Sequence, residues 1–536
     1  MIISALILTS RLDDHAKMKL GMNQNGRIKI KQSTAILAGF ILIKFFLQSI
    51  LIDPVYDLHR DEFLHLDQAN HLAWGYESVP PFTSWLSFTI NLLGSSVFIV
   101  KLFPAFFGAL TMLVIWKAIE LLGGSLYAKI LGATCILLSV LLRLNTLFQP
   151  NSFDVLCWTT VFFFLIKYMT SLEPKWLYWG AVFVGVGFLN KYNIVFLVLG
   201  LLPAILLGRD RNIFLRKEFY LATGLTLLII SPNLLWQYFN DFPVFDHLSE
   251  LTETQLVHVD RIGFFKNQLL FFTGSIPVIL AALYALVRYK AFRGIRFLFW
   301  SFIFTLVIFT WFKAKDYYAI GLYPIYLSIG SVYLANITDN SWGRYFRPLI
   351  ILLPIISFVY LFSFAFPNKT PDYIISHKER YEQLGLLHWE DGNDHEIPQD
   401  FADMLGWKEL ANKVDQAYGS IGNPDKTLIL CDNYGQAGAI NFYSKNQIQA
   451  ISFDADYVKW FNSEITYVNL IRVKNRHERN QEWRETSPLF KSSMVADSIT
   501  NRYAREFGTT IFVFEDSNVD INGRIEKEIE ESGIRQ

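Results

Sequence analysis

The sequence predicts a polytopic α-helical membrane protein with a small soluble α/β domain at its C-terminal end. Three observations lead there. Of 536 residues, 52% are hydrophobic and only 18% charged, too apolar on average for a water-soluble enzyme of this length. Aromatic residues make up 16%, a content suited to lipid-facing packing and interfacial belts. Apolar runs of about 20 residues, the length a helix needs to cross the hydrocarbon layer, recur as far as residue 366 and then stop. Lys+Arg and Asp+Glu balance at 48 each, so there is no basic field for nucleic acid, which is excluded as a partner.

The elements follow in order. Residues 1–33 read as an N-terminal cytoplasmic leader: "MIISALILTSRLDD" has neither a basic region before its apolar start nor a small-residue cleavage site, and Met18 and Met22 are alternative starts. About eleven spans come next, near 34–52, 97–116, 127–143, 153–170, 176–190, 193–208, 219–236, 269–288, 296–312, 317–336 and 348–366. Basic residues of short loops tend to stay cytoplasmic. "GRIKIKQ", "GRDRNIFLRKE", "RYKAFRGIR" and "GRYFRP" all fall on one side of an eleven-span chain, with the N-terminus inside. The opposite face then holds the first loop (53–96), the Arg143–Asp154 loop, Lys191, the 237–268 loop, "KAKDYY" and everything after residue 367.

That last region, 367–536, has ordinary domain composition and size. "GWKELANKVDQAYG" has the spacing of an amphipathic helix, and "KTLILCD", "EITYVNLI" and "TTIFVFED" read as strands. The tail "GRIEKEIEESGIRQ" reads as a solvated helix or a disordered segment. Cys135 and Cys157 lie in apolar runs and Cys431 stands alone in the C-terminal region, which excludes a disulfide framework there.

Chemistry gathers on the outer face, above all in "LHRDEFLHLDQANHLAWGYESVPPF" at Leu58–Phe82. Arg60, Asp61, Glu62, His65, Asp67, His71 and Glu77 crowd there before the paired Pro80 and Pro81. "HLDQANHLAWGY" and "FTSWLSFTINLLG" predict two helices lying in the interface plane. Asp61 and Glu62 are either a reactive pair near a helix N-terminus or first-turn acids solvated at the surface. His65, Asp67 and His71 are metal-ligand types, but His65 lies six residues before His71, off the spacing that puts two imidazoles on one helix face. Lys191, Lys266, Lys313 and Lys315 sit at outer-face boundaries, where a lysine either snorkels or meets an anion. Asp154 is a helix first-turn acid or a partner of such lysines.

On the motifs "RDEFLHLDQANHLAWGYESVPPF", "NKYNIVF", "SPNLLWQ", "KAKDYYAIGLYPIY" and "NYGQAGAINFY", in that order over roughly 34–445, the chain resembles the membrane glycosyltransferases of family 39. These have the GT-C fold and are related to protein O-mannosyltransferases and to the aminoarabinose transferases of lipid A. The resemblance implies transfer of a sugar from a polyprenyl-phosphate carrier to an acceptor that is a protein, a lipid or a glycan, at the outer face of the cytoplasmic membrane. It maps the acidic motif of the first outer loop onto Asp61 and Glu62, with Asp61 as general base. Lys191, Lys313 and Lys315 become ligands of the lipid phosphate, and Tyr192, Tyr317, Tyr318, Asp154, His65, Pro80 and Pro81 further substrate-binding positions. No cofactor is called for, and a divalent metal is left open. The aminoarabinose transferases carry a lysine just before the paired prolines, where this chain has Val79. A secondary transporter, a protein that only binds a lipid-linked substrate and a scaffold are the alternatives. Transporters place polar groups near the midplane and often show two related halves, and neither is visible here.

Overall fold

A computed structural model describes residues 24–254 and 256–531 of the protein. The leader up to residue 23, with Met18 and Met22, lies outside the described residues. The rest of it is helical, because α1 (Gln24–Ile50) starts ten residues before the expected span. Every apolar run coincides with helix. Among the described residues, six helices are long and apolar enough to cross a membrane, or seven when one bent pair is counted as a span.

After α1 come α2 (Arg60–Asp67) and α3 (Phe82–Leu92) in the first loop, then α4 (Val97–Leu121) and α5 (Leu126–Leu137). α6 (Asn151–Ser171), α7 (Pro174–Asn190) and α8 (Ile194–Leu206) follow. α9 (Lys217–Phe239) precedes α10 (Pro243–Thr254), so the expected outer loop over 237–268 is largely helical. α11 (Arg261–Phe271) and α12 (Ile276–Arg288) replace the single span expected at 269–288 and meet at a 72° bend. Pro277, in the first turn of α12, lacks the N–H and the room to continue the preceding helix. α13 (Phe297–Trp311), α14 (Tyr323–Ile337) and α15 (Arg347–Ala365) complete the set. α6 and α14 are central and mostly buried; α1, α9 and α15 turn bare leucine, isoleucine and phenylalanine outward, a surface suited to lipid. The protein is a multi-pass membrane protein.

The C-terminal region holds a five-stranded sheet of order β2-β1-β3-β5-β4. Its strands are β1 (Thr427–Cys431), β2 (Ala450–Ser452), β3 (Asn469–Lys474), β4 (Phe490–Ser498) and β5 (Thr510–Ser517). β1 pairs in parallel with β2 and β3, while β5 runs antiparallel to β3 and β4. The "EITYVNLI" strand begins only at Asn469, since the Tyr467 amide is taken by Asn522 instead of a neighbouring strand. α16 (Trp407–Gly419) and α17 (Tyr434–Tyr443) cover one face. On the other lies α18 (Ile521–Glu531). For the part of the tail up to residue 531 the expectation of a solvated or disordered segment is corrected here: Ile521, Ile525 and Ile529, four residues apart, form a buried stripe on the sheet beside Phe512 and Phe514, while the tail's last residues, 532–536, lie outside the described residues.

The first loop packs against the C-terminal region. Leu58, Phe63, Leu64 and Leu66 share one core with Trp407, Val414, Ile440 and Ile471 of the C-terminal region. α2 presses against α17 at Gly438, where a Cβ would come within 2.8 Å of Phe63 Cβ and 3.1 Å of its carbonyl carbon. Only glycine permits that approach.

Candidate active site

α2 is too short to hold by propensity alone, and its start is secured by side chains. His59 caps it, accepting the Asp61 amide at Nδ1 (3.2 Å), while Glu62 Oε2 accepts the His59 amide (2.6 Å), a capping box with histidine in the usual serine or threonine place. Glu62 also accepts from the Phe148 amide and from Lys101 Nζ, each at 2.6 Å, and has no exposed surface. It was expected beside Asp61 as a reactive acid. The structure instead spends both its oxygens on tying α2 to α4 and to the loop before α6, because a buried carboxylate needs every partner it can find.

Asp61, one residue earlier, is different. Tyr434 donates to its Oδ1 (2.7 Å), Gln149 to its Oδ2 (3.0 Å), and 40% of its side chain stays open. Burial works against its charge, but His59, the Tyr434 hydrogen bond and Arg60 outweigh it and hold the carboxyl below the ordinary aspartate value. His65 lies on the same short helix, within electrostatic reach of Asp61 and Lys191. Its burial outweighs the pull of Asp61 and keeps its pKa below the usual histidine value.

Cations and phenols face this group from the membrane helices. Lys191, in the break between α7 and α8, donates to Asn151 Oδ1 (2.7 Å) and lies 4.1 Å above the Tyr318 ring and 5.1 Å above that of Tyr317. It is in electrostatic reach of Lys315 and Asp154, and Tyr317 of Asp61. Lys315 pairs with Glu390 at 3.7 Å and lines a cavity of about 430 Å³ with Tyr317, Asp260 and Asn267. Asp154 is both things foreseen for it: it lies in the first turn of α6, and it faces Lys191 while accepting from Trp158 (3.1 Å) and Asn193 (2.8 Å).

Other expected positions lie elsewhere. Among the described residues the Lys313 side chain has no polar partner, and Lys266 is exposed on α11 and not at the end of a loop. Tyr192 sits between Asn233 (3.1 Å) and Gln237 (2.9 Å) of α9, and Asn233 holds the Trp74 carbonyl (2.7 Å), so Tyr192 braces the first loop. Pro80 and Pro81 are buried and turn the chain into α3, whose Phe82 stacks on Phe153 at 4.2 Å; their place is structural. Asp67 accepts from Asn70 (3.0 Å) and from Asn441 (2.6 Å) of α17, and His71 stacks on Trp460. Among the described residues no three His, Cys, Asp or Glu side chains converge as a metal site.

Sequence reading missed Gln149, Lys101 and Tyr434. The last stood inside a quoted motif, but nothing local says that it meets a carboxylate 373 positions away.

Glu77 marks the same junction. Its amide donates to Asp456 Oδ1 (2.8 Å), and burial with Asp456, Glu250 and Asp454 outweighs Lys459 and pushes its carboxyl from 4.5 up to about 7. A raised carboxyl binds a proton in the folded state that the unfolded chain has lost. Its contribution is therefore full below about pH 4.5, falls as pH rises, and is gone above about 7. Glu77→Gln should match the wild type in thermal unfolding at pH 4.5 and exceed it at pH 8. Equal midpoints at pH 8 would rule the effect out.

Comparison with known proteins gives a consistent result. Residues 78–236 match the family described as dolichyl-phosphate-mannose-protein mannosyltransferase. The chain is 24% identical over 246 residues to the lipid A galacturonosyltransferase RgtD of Rhizobium johnstonii, 45% of this chain and 50% of that protein. It thus spans about half the length of the curated relative it matches. The crystal structure of ArnT from Cupriavidus metallidurans bound to undecaprenyl phosphate superposes with a TM-score of 0.60 at 14% identity, covering 91% of this chain and 99% of that one. Its apo state does so with the same score and identity. The fold is of GT-C type, and the resemblance drawn from the sequence is borne out.

Proposed function

We propose that this chain is a glycosyltransferase that moves a sugar from a polyprenyl-phosphate carrier to an acceptor at the outer face of the cytoplasmic membrane, with its N-terminus inside. In this reading residues 34–366 form the transferase domain, with 53–96 as its catalytic loop, and 367–536 the extracytoplasmic domain. The observation that carries it is the partly open carboxylate of Asp61, held below the ordinary aspartate value, with Tyr317 within its electrostatic reach and Lys191 reached through His65 and stacked on Tyr317 and Tyr318. Asp61 takes the proton of an acceptor hydroxyl as its oxygen bonds to the anomeric carbon. The bond from that carbon to the phosphate oxygen breaks, and its electron pair leaves with the phosphate. A lipid phosphate is already a good leaving group, so the site needs cations more than an acid, and Lys191 and Lys315 hold the released charge with Tyr317 and Tyr318 as donors. A mannosyltransferase family defined on dolichyl-phosphate-mannose and a fold seen with undecaprenyl phosphate support the donor class.

The test is release of polyprenyl phosphate from radiolabelled polyprenyl-phosphate sugars by the purified protein in detergent, with envelope extract supplying acceptors. Saturable, acceptor-dependent release is expected. Tight carrier binding without release, across several sugars, would replace the enzyme with a lipid-linked substrate binder.

A further inference from the structure

We propose that Tyr434 is a positioning residue for Asp61, so that the C-terminal sheet region completes the active site of the membrane helices. This deepens the glycosyltransferase reading and rests on the role of Asp61 there.

β1 lies between β2 and β3, so the chain reverses its direction of strand addition beside β1, and open α/β sheets take ligands in the crevice at the carboxyl ends of the strands at such a point. α17 begins there. Arg60 of the first loop enters the crevice. Its guanidinium stacks on the Tyr434 ring at 4.2 Å and comes within 4.0 Å of Asp454. Gly435 makes the room, since a Cβ at that position would lie 2.5 Å from Arg60 Cγ. The Arg60 amide donates to the Asp403 carbonyl (3.0 Å), anchoring backbone as well as side chain to the C-terminal region.

With residue 60 held, residue 61 faces back toward the membrane helices, and the ring that holds Arg60 presents its hydroxyl to Asp61 Oδ1 at 2.7 Å. Gln149 donates to Oδ2 from the opposite side at 3.0 Å. One donor on each oxygen fixes the carboxylate plane and leaves each oxygen a lone pair for a substrate proton. Tyr434 thus both docks the domain, through its stack on Arg60, and aims the base, and neither donor comes from the helix that carries Asp61. The charged and titratable groups that face Asp61 are His59, Arg60 and His65 from the first loop, Tyr434 from α17, Asp403 ahead of α16 and Tyr317 ahead of α14.

Tyr434→Phe keeps the ring and its stack on Arg60 and deletes one donor. The expected result is a kcat lower by about tenfold to a hundredfold, the worth of one hydrogen bond to a charged group, with KM for the lipid donor unchanged. The acidic limb of the pH profile should move to higher pH, because the lost donor favoured the carboxylate. A purely structural role would lower the amount of folded enzyme and leave that limb in place. If the phenylalanine variant does not fold, 3-fluorotyrosine at position 434 preserves volume and stack and donates more strongly, and the limb should then move to lower pH. Wild-type kcat and pH profile in the folded variant, or an unmoved limb with fluorotyrosine, overturns the proposal. Should Asp61→Asn itself keep full turnover, it is the base assignment that fails, which is a different result from an inactive Asp61→Asn beside an unaffected Tyr434→Phe.

Discussion

Asp61→Asn should lower release of polyprenyl phosphate by about a thousandfold while carrier binding persists, within the range that general-base catalysis contributes. Asparagine matches aspartate in shape, and its Oδ1 can still accept from Tyr434. Its amide nitrogen, however, meets the Gln149 donor, which loses its acceptor, and the neutral group cannot take up the proton of an attacking hydroxyl. The loss should therefore appear in kcat, with retention of radiolabelled carrier on the detergent-solubilised protein as the control for binding. Unchanged turnover would move the base elsewhere. Glu62 is not the alternative its position in the sequence suggests, since both its oxygens are already occupied without exposed surface.

Lys101→Met should cost the protein about 3–5 kcal/mol, the price of stripping a buried carboxylate of its ionic partner. Methionine fills the space but leaves Glu62 charged among the Phe148 and His59 amides alone. Since Glu62 anchors the start of α2, and α2 shares a core with α17, the damage should spread to the C-terminal region. Amide exchange would rise in 58–68 and in 427–443 together, and the unfolding midpoint would fall by several degrees. A second change, Glu62→Gln, should recover part of the loss by removing the stranded charge. A midpoint within a degree of wild type for Lys101→Met by itself would show that the pair is not what holds the loop.

How much of this was legible beforehand differs from element to element. Each apolar run became a helix because the signal is local: a stretch of about 20 apolar residues satisfies its own backbone hydrogen bonds wherever it is placed in lipid. The α18 stripe is equally local, its isoleucines at every fourth position standing among the charges of the tail. The bend between α11 and α12 had its proline in view at Pro277.

The site divides along the same line. Composition and the crowding of ionisable residues before Pro80 pointed to the first loop, and the resemblance of that loop to a family singled out Asp61. From the sequence by itself came the membrane helices, the sheet region and a reactive loop, since helix length, strand alternation and charge density are properties of neighbours along the chain. Tertiary structure alone decided that Glu62 is an anchor, that Tyr192 and the paired prolines brace the loop, and that Tyr434 reaches Asp61 across 373 positions. Two acids side by side in sequence look alike until folding sends one into a ring of buried donors and leaves the other open. Which does which depends on the desolvation and partners that distant segments bring.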